Sequence, residues 1–283
     1  MAAVIAIDIG GTKIEVGIVD ETGAIACRER AATAVDDPWS TLAGLLERMG
    51  ASGFAPMAVG VGCGGPMAPR GETVSPLNIP GWREFPLRAR LAEATGLDVF
   101  VDNDAKALAL GEGWRGAAQG ERNFLAMVVS TGVGAGIVLD GRLLDGETGN
   151  AGHIGHVIVE PNGAPCACGA FGCLEAEASG LQIERRTGRP AAVADATTVA
   201  RTGMLVGRGV ASVVNLLDLK LALVGGSVAL GMGAPFFAAA QRELDSRCRI
   251  EFARGARIAP VGLGADGPLI GAAAVAYRAM GVR

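Results

Sequence analysis

Apolar and polar positions fall along the chain in blocks that predict strands and helices by turns. Val4–Ile7 is a short apolar run and predicts a buried strand. Ile14–Val19 and Ala24–Arg28 flank Asp20-Glu21-Thr22-Gly23, the composition of a hairpin turn. Trp39–Met49 has helical spacing and stops at Gly50. Ala58–Cys63 predicts a further apolar strand, and Leu87–Ala94 an amphipathic helix ending at Gly96. Val99–Val101 is then a short strand and Ala105–Trp114 a helix. This alternation argues for an α/β protein.

A second series begins at Phe124–Val129 and runs through Ala135–Leu139, a turn at Asp140-Gly141, and Arg142–Leu144. It echoes the opening of the chain: strand, Gly/Thr turn, strand and Asp-containing turn occur at Ile5–Gly23 and again at Met127–Gly141. A repeated hairpin of this kind fits a fold of two lobes. Met204–Leu217 predicts a long helix, Leu221–Val224 a strand, and Leu269–Met280 a closing helix. The nearest thing to a linker is the Ala-rich stretch Pro190–Ala200.

Composition narrows the picture. The 283 residues suit one large or two small domains, and half are hydrophobic, enough for a sizeable core. The net charge of -4 carries no basic stripe, which argues against a nucleic-acid partner. No apolar run reaches the ~18 residues of a membrane span, and Met1–Ile9 lacks the basic start of a signal peptide. A cytoplasmic protein with no membrane partner is therefore expected. In that compartment the six cysteines are not a disulfide framework. The 44 glycines, about twice the usual ~7% share, gather at the ends of the apolar strands.

Three of those glycine clusters suggest anion binding. Asp8-Ile9-Gly10-Gly11-Thr12-Lys13 places a carboxylate at a strand end, then two glycines whose N–H groups can approach a phosphate, then a hydroxyl and a cation. Its spacing is not that of a Walker A loop, and a tight hairpin with a surface Lys is the plainer alternative. Ser130-Thr131-Gly132-Val133-Gly134-Ala135-Gly136 and Gly225-Gly226-Ser227 repeat the pattern at two further strand ends. Gly60-Val61-Gly62-Cys63-Gly64-Gly65 matches the dinucleotide fingerprint by spacing only, because Pro66 and Pro69 exclude the helix that must follow.

Metal chemistry is concentrated in one segment. The two histidines are His153 and His156, and Cys166, Cys168 and Cys173 follow closely. One imidazole and three thiolates make a closed tetrahedral zinc site of the structural type. Gly163, Gly169 and Gly172 would let so short a segment wrap an ion. Buried, inert cysteines near a satisfied histidine are the plainer alternative, and a redox dithiol fits less well, since the spacing is C-x-C. A base for proton transfer is offered by Asp102-Asn103-Asp104, between a strand and a helix. A carboxylate at a helix N-terminus is held ionised and can accept a proton, although Asp and Asn are also ordinary helix caps. Position does not choose between Asp102 and Asp104.

Together these residues resemble the ROK family of repressors, open reading frames and sugar kinases, nearly end to end. The most specific stretches are Asp8–Lys13, Asn103-Asp104, Ser130–Gly136 and Gly152–Glu175, and Pro76–Trp82 is similar to the family's sugar-side loop. The resemblance implies a two-lobed, actin-like, ribonuclease H-like fold of hexokinase type with an interlobe cleft. Residues 1–107 plus 268–283 would form one lobe, and 108–267 the other, with a zinc-binding loop. ATP and magnesium would be held by Asp8, Gly10, Gly11, Thr12, Lys13, Thr131, Gly132, Gly134, Gly225 and Gly226. Asp104 would be the general base. Gly65, Asn78, Asn103, His153, His156 and Glu175 would contact the sugar. His156, Cys166, Cys168 and Cys173 would bind structural zinc. A homodimer is expected on the same ground.

The chain departs from the family pattern at several places. His153 stands where many glucokinases carry Glu, a change shared with bacterial N-acetylmannosamine kinases, so recognition of sugar hydroxyls should differ. Lys106 stands where Asn is common, and Gly64 replaces a frequent Pro. The region from Arg189 to Met204 is short, on the side expected to bear adenine. The implied activity is phosphorylation of a hexose or N-acetylhexosamine, at the 6-hydroxyl. A non-catalytic sugar-binding protein is the alternative. A DNA-binding repressor is not expected, since seven residues precede Asp8.

Overall fold

The computed structural model describes residues 2–34, 36–50 and 53–282. The chain divides into two compact units. The first comprises Met1–Gln119, Asp145–Ala151 and Gly262–Arg283, and the second Gly120–Leu144 and Gly152–Val261.

In the first unit the opening hairpin is β1 (Ala3–Ile9) and β2 (Lys13–Asp20), continued by β3 (Ile25–Ala32). Asp20 closes the second turn by accepting the N–H groups of Thr22 (2.8 Å) and Ala24 (3.0 Å). After α1 (Pro38–Gly50) come β4 (Ala58–Cys63), α2 (Leu87–Thr95), β5 (Asp98–Asn103) and α3 (Asp104–Arg115). The sheet order is β3-β2-β1-β4-β5, with β1, β4 and β5 parallel. Strand side chains alternate between faces. Ile5, Ile7 and Ile9 therefore enter one core with Leu42 and Leu45 of α1 and Leu87 and Leu91 of α2. Val4 and Ala6 enter a second core, on the face covered by the C-terminal helix α8 (Gly267–Ala279) and by Trp114 of α3. Each fully buried Leu or Ile there contributes about 1.5–3 kcal/mol.

The second unit repeats the plan. β6 (Phe124–Val129), β7 (Val133–Leu139) and β8 (Arg142–Leu143) form its hairpin series. α4 (Leu174–Ala178), α5 (Gly180–Thr187), α6 (Ala196–Leu217), β9 (Leu221–Gly225), α7 (Ser227–Arg247) and β10 (Arg257–Pro260) follow. The order is β8-β7-β6-β9-β10, with β6, β9 and β10 parallel. One core joins the sheet to α6 and α7 through residues such as Leu125, Met127, Leu205, Val210 and Phe236.

Several sequence expectations change. The helix read from Met204 begins at Ala196, where Asp195 caps it by accepting the Thr198 N–H at 2.8 Å. The Ala-rich stretch is thus no linker but a short 3-10 turn and the first turn of α6. The first unit also runs past residue 107 to Gln119 and resumes at Gly262 rather than 268. Fully buried Glu112 of α3 accounts for this. It accepts N–H groups from Ala117 (2.8 Å), Gly262 (3.0 Å) and Leu263 (3.0 Å), fastening both stretches to the helix. Among the described residues no helix is long and apolar enough to cross a membrane.

Candidate active site and metal centre

Strand alternation aims Asp8. It is the third term of the series Val4, Ala6, Asp8, on the face covered by α3 and α8. The parallel register sets Asp8 beside Gly62, and Gly62 beside Asp102. A Cβ on Gly62 would lie 3.3 Å from Ala107 Cβ, 3.6 Å from Asp104 Cα and 3.8 Å from Asp8 Oδ1. The bare strand thus lets the start of α3 pack closely against β4, next to Asp8. Sequence reasoning missed Gly62, having met it only inside a false dinucleotide motif. Burial pushes the Asp8 carboxyl up to about 7, and the nearby Asp104 carboxylate adds to the effect while Lys13 opposes it.

Asn103 caps α3, its Oδ1 accepting N–H groups from Ala105 (3.0 Å) and Lys106 (3.4 Å). Any further hydrogen bond from this amide therefore comes from Nδ2 as donor. Ala105 N–H also reaches Asp104 Oδ1 at 2.9 Å. Asp102 is committed elsewhere: its Oδ1 lies 3.0 Å from Lys106 Nζ and accepts its neighbour's N–H at 2.8 Å. Burial raises the Asp102 carboxyl and Lys106 pulls it back down. Of the two acids, Asp104 is the one whose charge acts on Asp8, and its Cα lies 3.6 Å from where a Cβ on Gly62 would stand.

The first glycine loop closes with Gly10 N–H donating to Lys13 O at 2.9 Å. A Cβ on Gly11 would lie 2.5 Å from Asn78 Cβ, so a phosphate-loop candidate and a sugar-loop candidate are neighbours. Thr12 is exposed. Lys13 Nζ is 2.6 Å from Glu15, a buried carboxylate that also meets Arg28 at 3.3 Å. The 76–82 loop is held by Arg83, whose Nη1 donates to the carbonyls of Pro76 (3.0 Å), Ile79 (3.0 Å) and Trp82 (2.7 Å). Trp82 stacks on Phe85 with centroids 4.2 Å apart. Gly65 lies just beyond β4.

In the second unit, Ser130-Thr131-Gly132 turns β6 into β7, and Gly134 pairs with Val128. Glu175, in the first turn of α4, accepts the Val133 N–H at 2.9 Å. Gly225 ends β9 and Gly226 caps α7. Ser227 Oγ is 2.9 Å from Ser130 Oγ, so the second and third glycine loops meet. The first loop belongs to the other unit.

His156 closes a short turn, Ile154–His156, and its ring lies 6.0 Å from that of His153. The ligand atoms of His156, Cys166, Cys168 and Cys173 all lie within 4.8 Å of one another. Cys166 Sγ is 3.7 Å from His156 Nδ1, and Cys168 Sγ is 3.7 Å from Cys173 Sγ. Metal–sulfur bonds of about 2.3 Å at tetrahedral angles predict an edge of about 3.8 Å, so the donor set fits zinc. Gly172 makes the turn possible. Its φ is +67°, and a Cβ there would collide with the Glu160 carbonyl. Buried Glu177 accepts the Ala164 N–H at 2.6 Å and pairs with Arg201 at 2.5 Å, tying the loop to α6. Burial pushes the Cys173 thiol up to about 12, while a backbone hydrogen bond at Ala170 lowers Cys168. A bound cation is what would make all three thiolates.

The chain is similar to proteins that are already known. A glucokinase of Thermotoga maritima is 41% identical over 187 residues, covering 64% of this chain and 58% of its own length. An N-acetylmannosamine kinase of Yersinia pestis is 35% identical over 250 residues, covering 81% of this chain and 84% of its own. The crystal structure of a ROK family glucokinase from Streptomyces griseus, in complex with glucose and AMPPNP, superposes with a TM-score of 0.81 at 30% identity. It covers 96% of this chain and 98% of that one. The two mixed sheets with their helices are the actin-like ATPase fold. The model of the ROK family matches residues 4–279, and the chain belongs to that family.

Proposed function

We propose that the protein transfers the terminal phosphate of ATP to a hexose or N-acetylhexosamine, at the 6-hydroxyl, with Asp104 as general base. The observation that carries this reading is the nearness of Asp8 and Asp104 across Gly62, where the start of α3 packs closely on β4 and the Asp104 carboxylate acts on that of Asp8. Asp104 would take the proton of the sugar hydroxyl as its oxygen bonds to phosphorus and ADP departs. Asn103 would donate from Nδ2 to a neighbouring hydroxyl. Asp8 would hold a magnesium ion, which when bound offsets charge on the phosphoryl oxygens. Backbone N–H groups of the glycine loops, with the hydroxyls of Ser130, Thr131 and Ser227, are suited to phosphate. His156, Cys166, Cys168 and Cys173 would hold zinc, whose part is to order the loop bearing both histidines. His153 offers a ring in place of a carboxylate. An N-acetylated sugar should therefore compete at least equally with glucose.

The test is ADP release by zinc-loaded protein with ATP and magnesium, across hexoses and N-acetylhexosamines, beside Asp104→Asn. Sugar-dependent turnover that vanishes in the variant is expected. Folded protein that binds sugar without turnover would instead make it a sugar-binding protein.

A further inference from the structure

Lys106 sits two residues after Asp104, and its side chain is only 3% exposed. Its ammonium has three donors, and three acceptors meet it. Asp102 Oδ1 lies at 3.0 Å, Asp145 Oδ1 at 2.8 Å and the Gly149 carbonyl at 3.0 Å. The last two belong to the strap Asp145–Ala151, which joins the first unit although the chain on either side of it belongs to the second. The strap closes on itself through Ala151 N–H to Asp145 O at 3.0 Å. Its far end is fixed by Asn150, which accepts the Met67 N–H at 3.3 Å and donates from Nδ2 to Met67 O at 3.1 Å. Met67 is two residues past Gly65. A continuous chain of polar contacts thus runs from the first turn of α3, through the strap, to the loop beyond β4.

We propose that Lys106 is a positioning residue for the acceptor sugar. Through Asp145 and Asn150 it sets the Gly65–Met67 loop against the helix that carries Asp104. This rests on the reading of Asp104 and Gly65 as sugar-side residues. Without the ammonium, Asp102 and Asp145 lose their shared counter-charge and the strap loses two of its anchors. The loop then no longer presents a fixed surface to the sugar.

The test uses the full zinc-loaded chain as Lys106→Met, Asp145→Asn and the double variant. Glucose and N-acetylmannosamine are titrated calorimetrically without nucleotide, and KM is measured for sugar and for ATP. In Lys106→Met the sugar Kd and KM rise about tenfold, while the KM for ATP stays within about twofold. Asp145→Asn moves the sugar constants the same way by a smaller factor, and the double variant is no worse than Lys106→Met. A purely structural role would lower the melting temperature and the active fraction without this split. Unchanged sugar affinity in folded Lys106→Met, or multiplicative effects in the double variant, overturns the proposal. If Lys106→Met does not fold, Asn150→Ala carries the test, and an unchanged sugar KM there is equally fatal. Wild-type protein that binds neither sugar fails a different claim, the kinase reading itself.

Discussion

The two units share a strand order but hold their charges differently. Both begin with an antiparallel hairpin whose first strand then pairs in parallel with the fourth. The second turn is one residue shorter: Ile9 faces Ile14, whereas Val129 faces Val133. Where the first hairpin carries Asp8, the second carries Val128. Its carboxylate arrives instead from α4, as Glu175, already bonded to the turn. The first unit thus keeps two acids, Asp8 and Asp104, close enough to act on each other's charge, a pairing suited to a metal and a proton. The second offers N–H and hydroxyl groups, suited to phosphate. Their irregular loops differ too. One is organised by a guanidinium holding three carbonyls, while the other gathers four donors in an arrangement that fits a metal ion. A shared topology therefore fixes where the loops leave the sheet, while local chemistry decides what each does.

The sharpest way to break this contrast is Asp8→Asn. Turnover should fall by about 10²–10³-fold, and activity near wild type would remove Asp8 from the chemistry. Stability should move the other way. The folded carboxyl titrates near 7 against 3.8 for the ordinary group, so between these values the native state keeps a proton that the unfolded chain has lost. Stability from this site is therefore greatest at low pH and falls as pH rises through 7. Without magnesium, the variant should melt above wild type at pH 8 and close to it at pH 4. A gap that widens on acidification contradicts the assignment.

Metal removal comes next. Stripping zinc with a chelator should lower the melting temperature by about 10 °C and open residues 156–173 to protease. Cys173→Ser should do the same irreversibly. Unchanged melting after verified metal loss would mean that the loop needs no ion. Arg83→Met should act on the other loop, costing about 1 kcal/mol and raising the sugar KM several-fold while the protein keeps its zinc. Equal damage to the KM for ATP would erase the distinction between the loops. The smallest effect is expected for Ser227→Ala, about two- to threefold in the KM for ATP, with sugar binding unaltered.

Much of this was legible in the chain. Apolar runs fixed β4 and β6 to the residue, and the Gly96 stop marked the end of α2. The clustered cysteines and histidines pointed to one group of donors, and the fold does bring His156, Cys166, Cys168 and Cys173 together. α7 was not legible. Gly231, Gly233 and Pro235 look like breakers, and Gly233 does leave helical geometry, yet the chain resumes its helix beyond it. The start of α6 was hidden for a related reason. Its Thr and Gly residues lower helix propensity, but side chains at Gly203 and Gly207 would collide with carbonyls of α7. Those glycines serve helix contact rather than chain reversal. Contacts between distant residues, such as Lys106 with Asp145 or Glu175 with Val133, leave no periodic trace at all.

The alternation along β1 has one more implication, for how this chain can be altered. Asp8 faces α3 only because it stands two and four places after Ala6 and Val4. Losing one residue between Ala3 and Ile7 would preserve an apolar strand able to pair, yet rotate the acid toward α1 and α2. Randomised libraries of this segment should therefore vary residue identity freely and hold its length constant. Among lineages of such proteins, insertions should collect in turns and be scarce in this strand.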